Sequence, residues 1–133
     1  VLTNGIHTMN TLNEQKNTKI FFCGGLIKDD SSVTGASAID FIGCFHADLF
    51  FFSCCGLSLS GGTTEASEEN AAVKKQMFAH ARKRILLCDS TKFGQEFFCK
   101  VCPVSSIDVI ITDQKPPESF LKSCQTTVVF PQE

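Results

Sequence analysis

The sequence lacks an excess of positive charge. Its 133 residues contain 12 lysines and arginines against 14 aspartates and glutamates, which gives a formal net charge of −2. A short basic run, Arg82-Lys83-Arg84, falls at the end of a predicted helix, where cations interact favourably with the helix dipole. A protein that binds DNA through its phosphates needs a basic surface. We therefore expect that this chain by itself does not bind DNA.

The sequence also lacks an apolar run of membrane-spanning length, and no signal-peptide pattern opens it. We expect no membrane association. Eight cysteines would suggest disulfides in a secreted domain. However, Cys23, Cys54 and Cys88 lie within or beside apolar, strand-like runs. We therefore predict that the cysteines are reduced and act as small buried hydrophobes, and that the protein is cytoplasmic.

A complete metal-binding or nucleophile pattern is missing as well. Cys99 and Cys102 have C-x-x-C spacing, but neither a second cysteine pair nor a His-x-x-x-His pattern accompanies them. We interpret the pair as structural and predict neither a metal nor a cofactor. His7, His46 and His80 do not accompany a serine or cysteine in a recognisable nucleophile motif. No catalytic residue is predicted.

What the sequence does contain is a series of short strands that alternate with helices. This alternation predicts an α/β domain with a largely parallel sheet and no internal linker. The strand with three consecutive phenylalanines, Ala47 to Cys54, is predicted to be central and buried on both faces. A turn is predicted at 29–32 and a loop at 56–64. Further strands are predicted at 19–23, 85–89, 108–112 and 127–130, and helices at 6–15, 34–44, 68–83 and 117–124.

The most informative segment is Asp89-Ser90-Thr91-Lys92-Phe93-Gly94, which directly follows the apolar run Ile85-Leu86-Leu87-Cys88 of the predicted strand. In open α/β sheets, ligands bind in the crevice beyond the carboxyl ends of the strands. A carboxylate, two hydroxyls and a lysine at such a strand end indicate a site for a small, polar, anionic molecule. The alternative is that Asp89 and Ser90 cap the next turn while Lys92 is merely solvated.

A lysine falls inside the apolar arc of the longest predicted helix. At about 100° per residue, Lys74 lies on the arc and Lys75 lies outside it. The arc consists of Val73, Met77, Phe78 and Ala81. A lysine in such a place must extend to water, pair with a carboxylate or face a ligand cavity. Asn70, one turn earlier on the same arc, favours the cavity.

Glycine or asparagine follows three other predicted strands, in Asn4-Gly5, in Gly24-Gly25 and at Gly56. Glycine lets the backbone approach a ligand and offer N–H groups to an anion. The alternative is that it ends the strand and permits positive φ. The predicted ligand-binding residues are Asn4, Gly24, Gly25, Gly56, Asn70, Lys74, Asp89 and Lys92.

These residues, in this order along the chain, resemble the C-terminal effector-binding domain of the DeoR family of bacterial sugar-metabolism repressors. The matching motifs run across essentially the whole chain. They are Thr3-Asn4, Gly24-Gly25 with Gly35, Ala47-Asp48 with Gly56, Val73-Lys74, Asp89 to Gly94, and Ile107-Asp108 to Thr112-Asp113.

The resemblance implies a Rossmann-like α/β fold, with a mainly parallel sheet flanked by helices, shared with sugar-phosphate isomerases and coenzyme A transferases. It implies a sensor domain, not an enzyme, that binds a phosphorylated sugar or related metabolite. Effector binding would control operator binding by a separate N-terminal winged helix-turn-helix domain. Family members generally self-associate, so a homo-oligomer is expected.

Two parts of the family pattern do not occur in these residues. One is the DNA-binding domain, and the other is the first strand with its Asp-Ser-Gly-Thr-type loop, which in the family cradles the phosphate. Val1-Leu2-Thr3 has no initiator methionine and is typical of a strand end. We therefore expect that an N-terminal part of the biological protein is absent here. These 133 residues would then bind sugar phosphates more weakly than the intact protein.

A sugar-phosphate isomerase-like enzyme is the main alternative, because the same fold contains isomerases. Proton abstraction next to a sugar carbonyl needs a positioned base. The ribose-phosphate isomerases resembled here carry acidic residues after the strand that matches Ala47 to Cys54, whereas no carboxylate follows Asp48 in this stretch. Asp89 is the remaining candidate base, so binding without turnover is predicted. A domain that mainly mediates oligomerisation is a third interpretation, against which the polar strand ends argue.

Overall fold

The computed structural model describes residues 1–28 and 31–132. The chain divides into two compact units, Val1–Phe45 and His46–Glu133, which are described separately. Helices and strands alternate in both units, so the predicted α/β class is confirmed. The first half of the turn predicted at 29–32, Asp29 and Asp30, lies outside the described residues. Within the described ranges, no helix is long and apolar enough to cross a membrane.

The first unit contains short elements. They are β1 (Leu2–Thr3), α1 (Ile6–Asn13), β2 (Phe21–Phe22), β3 (Leu26–Ile27), β4 (Val33–Thr34) and α2 (Ala36–Ile42). Strands β1 and β2 pair in parallel, and β3 and β4 pair antiparallel. The helix predicted from Thr34 begins at Ala36 instead, because Thr34 pairs with Leu26 across β3 and β4. Gly35 separates the strand from the helix with a φ of 95°, a conformation that favours glycine.

The second unit contains the longer elements. They are β5 (Ala47–Phe52), β6 (Gly56–Ser58), β7 (Gly62–Glu65), α3 (Glu68–Ala79), β8 (Ala81–Leu87), β9 (Cys99–Cys102), β10 (Val109–Ile111), α4 (Glu118–Ser123) and β11 (Thr127–Val129). Turns of 3₁₀ helix lie at Ser90–Lys92 and Val104–Ser106.

The main sheet of the second unit is parallel, with the strand order β11-β10-β8-β5. Phe52, Leu86, Ile110 and Val128 lie side by side across it. The side chains of Leu86 and Ile110 are fully buried in the core, which also contains Phe120 of α4. Because successive side chains of a strand point to opposite faces, this row defines the core face of the sheet.

The prediction that β5 is a central strand is wrong within the described residues, since β5 lies at the end of the sheet order and pairs with β8 alone. Phe52 is buried, whereas the Phe51 side chain is 55% exposed. Leu87, Ile111 and Val129 on the same side are also exposed. A run of apolar residues indicates that both faces of a strand are apolar, but it does not specify how many neighbours the strand has.

The prediction of a loop at 56–64 is also wrong. Strands β6 and β7 form an antiparallel hairpin there, and β7 pairs with β9. Gly62 has a φ of 68°, and a Cβ at this position would lie 2.0 Å from the carbonyl oxygen of Cys102. The glycine- and serine-rich composition suggested an irregular segment, but the glycines serve the tight turn and the close packing of β9.

Helix α3 is shorter than predicted, since it ends at Ala79 where the sequence predicted Lys83. The basic run Arg82 to Arg84 belongs to β8, so its assignment to a helix end is wrong. Ala81 begins β8 and pairs with Ala47 of β5, which shows that sheet pairing overrides the local helical periodicity. The helix begins after Ser67, whose hydroxyl accepts a hydrogen bond from the Asn70 backbone N–H (3.3 Å).

Candidate functional site

Polar residues collect at the carboxyl edge of the parallel sheet in the second unit. Strand β5 is followed by Ser53, β8 by Cys88 and Asp89, and β10 by Thr112 and Asp113. Because parallel strands end at the same edge, these residues border the crevice in which α/β proteins usually bind ligands. The position predicted for Asp89 at a strand end is therefore the one it occupies.

The Asp89 carboxylate caps the 3₁₀ turn at Ser90–Lys92. It accepts hydrogen bonds from the Thr91 backbone N–H (3.0 Å) and from the Thr91 hydroxyl. The Thr91 hydroxyl is the main reason that the pKa of Asp89 is lowered from its ordinary value, and the nearby Lys92 charge adds to the effect. A carboxylate with a lowered pKa is a weak base, which makes Asp89 a poor candidate for proton abstraction.

Asp113 holds the same turn through Ser90, and it was not among the predicted ligand-binding residues. Its carboxylate accepts hydrogen bonds from the Ser90 backbone N–H (2.6 Å), the Ser90 hydroxyl (3.4 Å) and the Thr112 hydroxyl (3.3 Å). Asp89 and Asp113 are both exposed, so two carboxylates face solvent where β8 and β10 end. The signal was present in the sequence, because an aspartate directly follows the strand 108–112.

Lys74 pairs with a carboxylate, which is one of the three environments considered for it. Its ammonium donates to the carbonyl oxygen of Ser53 (2.7 Å) and forms an ion pair with Glu65. Glu65 is buried, and its other oxygen accepts from the Cys55 thiol (3.2 Å). Sequence reasoning missed Glu65 because the segment before it was taken for a loop.

Lys74 and Asn70 lie one turn apart on α3, as the helical wheel requires. Both residues are half-buried, whereas Lys75 is exposed. The different surroundings predicted for the two neighbouring lysines are thus found. The ion pair with Glu65 places the Lys74 charge against the end of β5, so this cation is already neutralised within the protein.

The predicted glycine positions have different surroundings. A Cβ on Gly56 would lie 2.4 Å from the carbonyl oxygen of Gln95, and one on Gly25 would lie 2.5 Å from that of Thr34. Both glycines therefore allow close approach of another backbone segment. Among the residues that the structure describes, none has an atom within 4 Å of such a Cβ on Gly24.

Asn4 follows β1 and joins it to β4. Its side-chain amide donates to the carbonyl oxygen of Val33 (3.0 Å), and its own carbonyl accepts from the Val33 N–H (2.8 Å). Asn4, Gly24 and Gly25 thus belong to the first unit, while the other predicted ligand-binding residues belong to the second. The ligand-binding role of each stays a prediction.

Cys99 and Cys102 are both part of β9. Residues three apart on a strand point to opposite faces, so this C-x-x-C pair does not converge on one metal ion. Across residues 1–28 and 31–132, no group of three or more His, Cys, Asp and Glu side chains could hold a metal.

Comparison with known proteins agrees with the resemblance. The profile of the DeoR C terminal sensor domain matches residues 1–114. The HTH-type transcriptional repressor GlcR of Bacillus subtilis is 32% identical over 121 residues, which cover 90% of this chain and 46% of the relative. The Glycerol-3-phosphate regulon repressor of Escherichia coli is 26% identical over 123 residues, with 92% and 49% covered.

The L-fucose operon activator of Haemophilus influenzae is 28% identical over 126 residues, which cover 94% of this chain and 51% of the relative. The chain thus spans about half the length of the curated relatives it matches. These relatives are named as a transcriptional repressor, a regulon repressor and an operon activator, and the matched family is a sensor domain, as predicted in preference to an enzyme. The chain therefore belongs to the DeoR family of transcriptional regulators, as a C-terminal sensor domain.

Proposed function

We propose that this chain senses a phosphorylated sugar or a related metabolite and that the carboxyl edge of its parallel sheet contributes to the binding site. The observation that carries the proposal is the pair of exposed carboxylates, Asp89 and Asp113, at the ends of β8 and β10. Both are fixed by hydrogen bonds from the adjoining turn. A fixed, accessible carboxylate is a good acceptor for the hydroxyl groups of a sugar.

The phosphate group requires a different partner, because two carboxylates repel an anion. Lys92 supplies a cation close enough to Asp89 to lower its pKa. One relative is named for the regulon of a phosphorylated metabolite, glycerol-3-phosphate, which supports the proposed ligand class.

The role of the whole regulator extends this proposal. The relatives are about twice as long as the matched region, and the family to which the chain belongs is a C-terminal domain. We therefore propose that operator binding resides in a part of the intact protein outside these 133 residues. The intact regulator is proposed to act in the cytoplasm as a homo-oligomer.

A thermal-shift screen tests the ligand class. The chain is heated with a panel of sugar phosphates, with the same sugars without phosphate, and with inorganic phosphate. A ligand that binds the folded state alone stabilises it by about 2.7 kcal/mol at a hundred times its Kd. We expect one or more sugar phosphates to raise Tm more than either component does. Equal Tm values across the panel, repeated with the intact regulator, would contradict the proposed ligand class.

A further inference from the structure

Two buried cysteines lie at the carboxyl edge of the main sheet. Cys54 follows β5 and Cys88 follows β8, and both are almost fully buried as free thiols. The register of these parallel strands places Phe52 opposite Leu86. Continuing it by two residues along each strand brings Cys54 opposite Cys88.

The two cysteines belong to the same cluster of buried core residues. The Cys88 side chain is the first cause of a raised pKa at Cys54, and the Cys54 side chain is the first cause of a lowered pKa at Cys88. The Cys88 thiol donates to the carbonyl oxygen of Asp89 (3.7 Å), and its lowered pKa makes it the more readily ionised of the two thiols. The other cysteines near this edge are differently engaged, since Cys55 donates to Glu65 and Cys102 contacts Thr63.

We propose that Cys54 and Cys88 form a reversible disulfide that joins the ends of β5 and β8 when the protein meets a peroxide. Neighbouring strands are separated by about 4.8 Å, and disulfides span Cα distances of about 4.4 to 6.8 Å. A pair of residues at the strand spacing therefore lies within the Cα range that a disulfide spans. This inference does not depend on the identity of the effector.

The chemistry takes place in two steps. The Cys88 thiolate attacks one oxygen of hydrogen peroxide, which breaks the O–O bond and gives a sulfenic acid and hydroxide. The Cys54 sulfur then attacks the Cys88 sulfur, the S–S bond forms, and the sulfenic hydroxyl leaves as water with the Cys54 proton. The two thiols are oxidised by two electrons and one peroxide is reduced. A dithiol reductant reverses the change by thiol–disulfide exchange.

The position of the bond gives it a consequence for the candidate site. Ser53, whose carbonyl oxygen accepts from Lys74, directly precedes Cys54, and Asp89 directly follows Cys88. A disulfide would tether these two strand ends, so the oxidised state would fix the edge at which effector binding is proposed. Because both thiols are buried, we expect peroxide to oxidise Cys54 and Cys88 more slowly than it would oxidise the exposed Cys44.

The test uses the purified, fully reduced chain. After treatment with hydrogen peroxide and denaturation, thiol titration should fall from eight reactive thiols to six and return to eight with dithiothreitol. Trypsin cleaves after Lys28, Lys74, Arg84 and Lys92. Mass spectrometry should therefore find peptide 85–92, which contains Cys88, joined to peptide 29–74.

Adjacent cysteines supply the matched controls, because peptide 29–74 also contains Cys44 and Cys55. Cys55→Ala should retain the cross-link, whereas Cys54→Ala and Cys88→Ala should abolish it. Fragmentation of the cross-linked peptides from Cys55→Ala assigns the bond even if a variant at Cys54 does not fold. Retention of all eight thiols, or a bond from Cys88 to Cys44 or Cys55, would overturn the proposal.

Discussion

Two groups of polar side chains at the same edge of the sheet differ in how accessible their charges are to a ligand. The ion pair between Lys74 and Glu65 is closed, since the carboxylate is buried and the ammonium also binds the Ser53 carbonyl. The carboxylates of Asp89 and Asp113 are held by the turn after β8 but remain exposed. The family resemblance drew equal attention to Lys74 and Asp89. Lys74 is thus engaged within the fold, whereas Asp89 lies at the exposed edge where ligand binding is proposed.

The largest expected change in stability comes from breaking the ion pair between Lys74 and Glu65. Glu65→Ala leaves the Lys74 ammonium without its carboxylate, and breaking such a pair costs about 3 kcal/mol of unfolding free energy when both partners are buried. We expect about 2 kcal/mol here, because Lys74 keeps some contact with water. Urea unfolding measures the change. The exposed Glu14→Ala is the control, for which a change within about 0.5 kcal/mol is expected.

Removal of the other partner should give an effect of similar size, because the Glu65 carboxylate is the more buried of the two charges. Lys74→Ala leaves a buried, unpaired carboxylate, so we expect lower stability, while Lys75→Ala, at an exposed position, should leave the stability unchanged. The double variant Glu65→Gln with Lys74→Met replaces the ion pair with neutral groups of similar size. It should be more stable than either single loss, as in other replaced ion pairs. Equal stability of Lys74→Ala and Lys75→Ala would show that the ion pair contributes nothing.

Substitution of the exposed Asp89 should change ligand affinity more than it changes stability. Asp89→Asn keeps a side-chain oxygen that accepts from the Thr91 N–H. It removes the negative charge that would strengthen hydrogen bonds from sugar hydroxyl groups. A hydrogen bond to a charged group contributes about 1.5 to 3 kcal/mol, so calorimetry should find at least tenfold weaker binding of a responsive sugar phosphate. The control Asp48→Asn changes an exposed aspartate on β5, six residues before Cys54. Its affinity should equal that of the unchanged protein.

The smallest effect concerns pH. Because the pKa of Asp89 is lowered in the folded protein, its contribution to stability is present above the ordinary pKa of an aspartate. It is lost as the pH falls through the lowered value. Thr91→Val removes the hydroxyl that is the main cause, so the pKa of Asp89 should rise toward normal. A carboxyl NMR titration measures this, and Glu96, whose pKa is lowered by Ser58 and Ser60, should not change.

The sequence predicted the second half of the chain best. Strands β8, β10 and β11 and helix α4 overlap their predicted ranges, because short apolar runs and a proline before a helix are local signals. Asp89 was placed correctly for the same reason, since it directly follows one of these runs. Its capping of the next turn was also foreseen as an alternative.

The missed features depend on contacts between distant residues. Glu65 pairs with Lys74 because β6 and β7 form a hairpin that places Glu65 at the end of β7. The glycine- and serine-rich composition of this segment predicted a loop instead. The place of β5 at the end of its sheet is set by pairing rather than by its phenylalanines. Arg82 to Arg84 belong to β8 because this strand begins at Ala81, which pairs with Ala47 of β5. A helical wheel does not include such pairing between distant residues.

An NMR titration of the ¹⁵N-labelled chain would locate the bound ligand on the sheet. Sugar phosphates are added while the backbone amide signals are followed, because this experiment detects weak binding and locates it. We expect a responsive ligand to shift the amide signals of Ser90, Thr91 and Asp113 and to leave those of His46 and Asp48 unchanged. Shifts confined to the opposite edge, around His46 and Asp48, would contradict the assignment of the site to the carboxyl edge of the sheet.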